Sequence, residues 1–177
     1  MKSDHQLIEK INKGRMDAFD ELYYKYREWV FNLAWRCTGN RNDALDVLQE
    51  TFLYFLGKFP GFELTSAMTT FFYPVVKHIS INIRNKNNRF SSENDISLEL
   101  VDHNSNKNQE KYSDLLTVLN ILPEELREIL LMRFVDDMNF NEIAQALSVP
   151  VSTVKSRYYR ALQTLKSDKR TQSYFLE

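Results

Sequence analysis

One cysteine, four glycines and four prolines are spread over 177 residues, and each scarcity excludes something. A lone cysteine, Cys37, rules out an internal disulfide and makes a reducing compartment the default. It falls on the apolar face of a predicted helix, so packing is its expected role. So little Gly and Pro, with few alternating β-branched runs, argues against a turn-rich sandwich or barrel and for an all-α protein. No stretch approaches the roughly 20 apolar residues of a membrane span. The N-terminus, Met1-Lys2-Ser3-Asp4-His5, leads into an amphipathic helix and not an uninterrupted apolar core, so a cytoplasmic protein without membrane insertion is expected. His5, His78 and His103 are scattered without metal-ligand spacing. There is no glycine-rich phosphate loop and no nucleophile flanked by a base, so neither a cofactor nor catalysis is expected.

What the chain does have is charge sorted by sign. With 23 basic and 24 acidic residues the net charge is only −1, yet no acid occurs from Leu64 to Ser92, where Lys77, Arg84, Lys86 and Arg89 are basic. In the last predicted helix Asp168 alone opposes Lys155, Arg157, Arg160, Lys166, Lys169 and Arg170. Asp43, Asp46 and Glu50 cluster in one predicted helix. Such polarity points to two partners, one anionic and one with a basic or amide-rich surface.

Hydrophobic spacing divides the chain into two helical units. A short helix over His5–Asn12 should bury Leu7, Ile8 and Ile11 and close at Gly14. Asp17 should cap a longer one carrying Phe19, Leu22, Tyr23, Tyr26, Val30, Leu33 and Cys37 inward, ended by Gly39. A third, from about Asn42, should bury Leu45, Leu48, Phe52, Phe55, Leu56 and Phe59 and stop at Pro60-Gly61. The fourth runs from about Ser66 to Lys86, with Phe72, Val75, Val76, Ile79 and Ile83 inside and Pro74 expected to kink it or mark a fresh start. From Asn85 to Lys111 the composition turns polar, which reads as a linker. The expected units are therefore 1–86 and 112–177, joined by 87–111. The second begins with Tyr112, Leu115, Leu116 and Leu119 on one face. Leu122-Pro123 opens its next helix, in which Leu126, Ile129, Leu130 and Phe134 face inward until Asp136-Asp137 breaks it.

Met138 to Leu165 then reads as a helix-turn-helix. Asn139 and Glu142 form a capping box, and Ile143, Ala144 and Leu147 share one side. Pro150 stops the first helix, and Ser152 or Thr153 offers a hydroxyl cap for the second. Val154, Tyr158, Ala161, Leu162 and Leu165 should face inward. That leaves Ser152, Lys155, Ser156, Tyr159 and Gln163 on the outer stripe, flanked by Thr153, Arg157 and Arg160. Cations, hydroxyls and a ring in that pattern can bond phosphates and base edges. A solvated cationic face on an ordinary hairpin is the plainer alternative; both caps, the small Ala144 and the turn favour DNA.

Two further surfaces stand out. On the fourth helix Tyr73, Lys77, Ser80 and Arg84 form one stripe, flanked by His78, Asn82 and Asn85, a mixture suited to single-stranded or distorted DNA. Phe71 and Phe72 read as plain core. On the third helix Asp43, Asp46 and Glu50 recur at helical spacing with Gln49 beside them and Leu53 nearby, making one exposed ridge.

These segments together resemble a known family. NDALDVLQETFLYFL, from Asn42 to Leu56, is similar to the acidic "DAEDLVQEVF" helix of extracytoplasmic-function sigma factors, bacterial RNA polymerase promoter-recognition subunits. FFYPVVKHISINIR, from Phe71 to Arg84, resembles their "WLYRIARNLAIDYLR" helix. Leu122-Pro123 with Arg127, followed by NEIAQALSVPVSTVKSRYYRAL, resembles their C-terminal domain. The chain departs from the pattern at Leu45, Pro74, His78 and Ser152. The resemblance implies that Asp43, Asp46, Gln49 and Glu50 dock on the clamp helices of the polymerase core. It implies minus-10 recognition by Tyr73, Lys77, His78, Asn82 and Arg84, and minus-35 recognition by Thr153, Lys155, Ser156, Arg157, Tyr159 and Arg160. Promoter DNA and an anti-sigma factor would be the other partners. The alternatives are an autonomous helix-turn-helix regulator that binds a palindrome without polymerase, and a helical enzyme using a metal near Asp46.

Overall fold

The computed structural model describes residues 3–91 and 118–168, with side chains to residue 87 in the first stretch. The chain divides into two compact units between residues 101 and 102. Among the described residues the regular structure is seven helices and no strand.

In the first unit α1 (Asp4–Asn12) starts at a capping box that spacing did not announce. The Ser3 hydroxyl accepts from the Gln6 amide, and the Gln6 side chain accepts from the Ser3 amide. Leu7, Ile8 and Ile11 are buried as expected. In α2 (Met16–Thr38) Asp17 is not the cap. Arg15 holds that place without a side-chain cap, and its guanidinium grips the Asp17 carboxylate with two hydrogen bonds. Those bonds hold the Asp17 carboxyl below its usual range. Gly39 ends α2 in the left-handed conformation, φ +70°, which a glycine adopts without strain.

Asn40 then caps α3 (Arg41–Leu56), accepting from the Asn42 and Asp43 amides. The inward face of α3 is rotated from the expected one. Ala44, Val47, Thr51, Phe52 and Phe55 are buried, while Leu45 is exposed. Leu48 and Leu56 are half-buried. The helix stops at Leu56, ahead of Phe59 and the Pro60-Gly61 pair. Residues 57–67 return to α1, where Asn12 pins them: its Oδ1 accepts from the Gly61 and Phe62 amides, and its Nδ2 donates to the Phe62 carbonyl.

α4 (Met68–Ser91) passes through Pro74 as one helix, neither stopping nor restarting there, and runs past the expected end at Lys86. It packs against both α2 and α3. Phe55 joins these elements, with the rings of Phe59, Phe62, Phe71 and Phe72 edge-on or tilted against it at 5.1–5.7 Å. Each such pair adds about 0.5–1.5 kcal/mol beyond area burial. Phe72 is therefore core, as read, and Phe71 is half-buried at its edge.

In the second unit α5 (Glu124–Phe134) follows Pro123, with Glu124 and Glu125 in its first turn. Leu119, Leu122, Leu126 and Leu130 pack with Ala161 and Leu165. Phe134, expected inside, is 64% exposed; Met132 is buried in the same turn. Asp136 is buried, and Asp137 adopts φ +53° where the chain reverses. Tyr112, Leu115, Leu116, His103, Lys169, Arg170 and the expected linker from residue 92 on lie outside the described residues.

Candidate functional site

α6 (Phe140–Leu147) and α7 (Val151–Ser167) form the helix-turn-helix. The Asn139–Glu142 capping box is present, its reach-back bond 2.7 Å long. α6 ends without help from Pro150, because Ser148 turns left-handed at φ +54° and the Val149 amide bonds the Ala144 carbonyl. Pro150 is itself the N-cap of α7, its carbonyl accepting from Thr153 and Val154. Ser152 and Thr153 therefore lie within the first turn and do not cap it. A proline, its φ held by the ring at −61°, takes the place in an extended conformation.

The division of α7 follows the spacing. Val154, Ala161 and Leu165 are buried, with Tyr158 and Leu162 packed beside them. Ser152, Lys155, Ser156, Tyr159, Arg160 and Gln163 are exposed, and Thr153 and Arg157 half-buried. The Tyr159 ring is 61% exposed and stands edge-on to Tyr158. Arg157 and Arg160 both meet Glu125 of α5, at 2.8 Å and 3.2 Å. The sequence carried no signal for that contact, since 35 positions separate Glu125 from Arg160.

On α4 the expected stripe breaks up. Tyr73 is 4% exposed and Ser80 1% exposed, so neither faces outward. Lys77 is half-buried, while His78, Asn82, Arg84 and Asn85 are exposed. The open surface therefore centres on the residues placed at the flank. His78 and Asn82 join through a 3.1 Å hydrogen bond, and Arg84 donates to the Cys37 carbonyl at 3.5 Å. The cause is breadth of burial: lying against both α2 and α3, α4 covers a wider arc than one apolar stripe.

The acidic ridge of α3 stays open. Asp46, Gln49 and Glu50 are exposed, bordered by the exposed Leu45, Leu53 and Tyr54. Asp43 differs from them. It is half-buried, and both its carboxylate oxygens accept from the Asn87 amide of α4 at 3.0 Å. Among the described residues no group of His, Cys, Asp and Glu is placed to hold a metal. No described helix is long and apolar enough to cross a membrane.

Comparison with known proteins places the same segments together. Residues 22–90 match the family Sigma-70 region 2, and residues 112–165 match Sigma-70, region 4. The ECF RNA polymerase sigma factor SigW of Bacillus subtilis is 25% identical, the match covering 92% of this chain and 95% of that protein. CnrH, solved in complex with the cytosolic domain of CnrY, superposes with a TM-score of 0.66 at 20% identity, covering 94% and 96% of the two chains. The sigma factor RpoE of Bartonella quintana, solved with the anti-sigma factor NepR, gives 0.61 at 18% identity, covering 85% and 95%. These last two likenesses are of fold.

Proposed function

The chain belongs to the extracytoplasmic-function type of RNA polymerase sigma factors, which recognise promoters for the polymerase, and from that membership we propose how its surfaces share the work. The first unit, expected over residues 1–86, docks on the clamp helices of the polymerase core through Asp46, Gln49 and Glu50. It meets the minus-10 element with His78, Asn82 and Arg84, and with Lys77 at the edge of that face. The second unit, expected over 112–177, reads the minus-35 element with Thr153, Lys155, Ser156, Arg157, Tyr159 and Arg160. Asp43, already bonded to Asn87, braces α3 against α4 instead of reaching the polymerase. Tyr73 belongs to the core and not to the DNA face.

The observation that carries this reading is that acidic and basic helix faces occupy separate elements and are both open to solvent. A carboxylate ridge repels DNA and attracts a basic or amide surface; the cationic faces do the reverse. The protein contributes positioning, and bond formation belongs to the polymerase. Docking brings DNA contacts that are weak singly to high local concentration. The pairing of the Bartonella quintana sigma factor RpoE with NepR supports an anti-sigma factor as a further partner here. The polymerase that this chain would serve works in the cytoplasm, and the reading places the chain there with it.

Run-off transcription with purified core polymerase tests the reading. Defined start sites should appear only when this protein is added. Tight binding of a palindromic duplex by the protein alone, with no added transcription, would establish the autonomous regulator in its place.

A further inference from the structure

Glu125 stands in the first turn of α5, where the positive end of the helix dipole favours a carboxylate. Its two oxygens are divided between two arginines of α7. Oε2 meets Nη2 of Arg157 at 2.8 Å, and Oε1 meets Nη2 of Arg160 at 3.2 Å. Arg157 and Arg160 lie one turn apart and flank Lys155, Ser156 and Tyr159. A single internal anion thus occupies both guanidinium groups that a DNA phosphate would take.

Resting on the assignment of α7 to the minus-35 element, we propose that Glu125 acts as an internal competitor for DNA phosphate and sets the threshold of binding. Guanidinium groups bond carboxylate and phosphate through the same fork of N–H donors, so one anion can exchange for the other. The exchange is open to solvent on the Arg160 side: the side chains of Glu125 and Arg160 are 48% and 60% exposed, and pairs so placed are held weakly, while Arg157, 30% exposed, is the more sheltered partner. Sequence-independent binding draws on phosphate contacts for nearly all of its strength. Having to displace Glu125 lowers every such affinity by a common factor, and arbitrary DNA has no other contacts to set against that loss. A matching site adds base-edge contacts from Lys155, Ser156 and Tyr159, which Glu125 does not touch, and those restore the complex. The carboxylate filters out phosphate-only encounters while leaving base readout intact.

The variant Glu125→Gln keeps the shape and removes the charge. The probes are a duplex enriched from a random pool by the wild-type holoenzyme and an unrelated duplex of equal length. The full chain is titrated against each over a salt series. Both duplexes should bind about fivefold more tightly to the variant, and the slope of log affinity against log salt should steepen by about one. Unchanged affinity and an unchanged slope would overturn the proposal. So would equal weakening on both duplexes, which marks mere support of the fold. Lys155→Ala measured alongside separates the two failures. If it weakens the enriched duplex while Glu125→Gln changes nothing, the competitor role alone falls. If neither variant has an effect, the assignment of α7 falls with it.

Discussion

Tyr26 ties α2 to α1 through one phenol: its hydroxyl donates to Asp4 at 2.6 Å, and Lys25 meets the other Asp4 oxygen at 2.5 Å. Burial pushes the Tyr26 phenol above its ordinary value near 10.0, and the Asp4 carboxylate, accepting its proton, pushes the same way. A group raised on folding contributes stability that is whole below its unfolded pKa and is lost as pH climbs through the raised value. Tyr26→Phe should therefore lower stability by about 1 kcal/mol at pH 8. Above pH about 10 its stability should fall less steeply than that of the wild type. Urea unfolding from pH 8 to 11 checks this, and parallel curves would refute it. Nothing in local spacing joins Asp4 to Tyr26, or Asp43 to Asn87. On α3, Asp43 is indistinguishable from Asp46 by sequence; only the approach of α4 separates a brace from an open carboxylate.

At the scale of the element, helices were legible and their faces only partly so. α1 buries the residues its periodicity names, and α7 buries Val154, Ala161 and Leu165 with Tyr158 and Leu162 half-buried beside them, because each presents one stripe. α3 and α4 lie in a three-helix arrangement with α2, where the buried arc depends on two neighbours at once. Hence Leu45 turns outward on α3, and Tyr73 and Ser80 turn inward on α4. The two readings of α4 differ measurably. Tyr73→Ala should destabilise the first unit by about 3–5 kcal/mol, as loss of a buried ring does. His78→Ala and Asn82→Ala should leave the melting temperature within about 4 °C and weaken capture of minus-10 single strands by the holoenzyme several-fold. Strand capture lost in Tyr73→Ala with undiminished stability would restore Tyr73 to the DNA face.

For the molecule as a whole, the proposed function rests on keeping opposite charges on different helices of one chain. Asp46→Lys together with Glu50→Lys should abolish association with core polymerase, and with it promoter complexes, while circular dichroism and melting stay unchanged, since both side chains are exposed. Undiminished pull-down by core would count against α3 as the docking element. The sequence by itself determined the all-helical class, the two units, the helix-turn-helix and the segregation of charge. These follow from propensity, capping and periodicity, which act within a few residues. Tertiary structure alone decided that Asp43 is tied to Asn87, that Tyr73 is core and that Glu125 holds Arg157 and Arg160. Each depends on distant segments meeting, and an exposed, half-buried or paired side chain is defined by what the fold brings beside it.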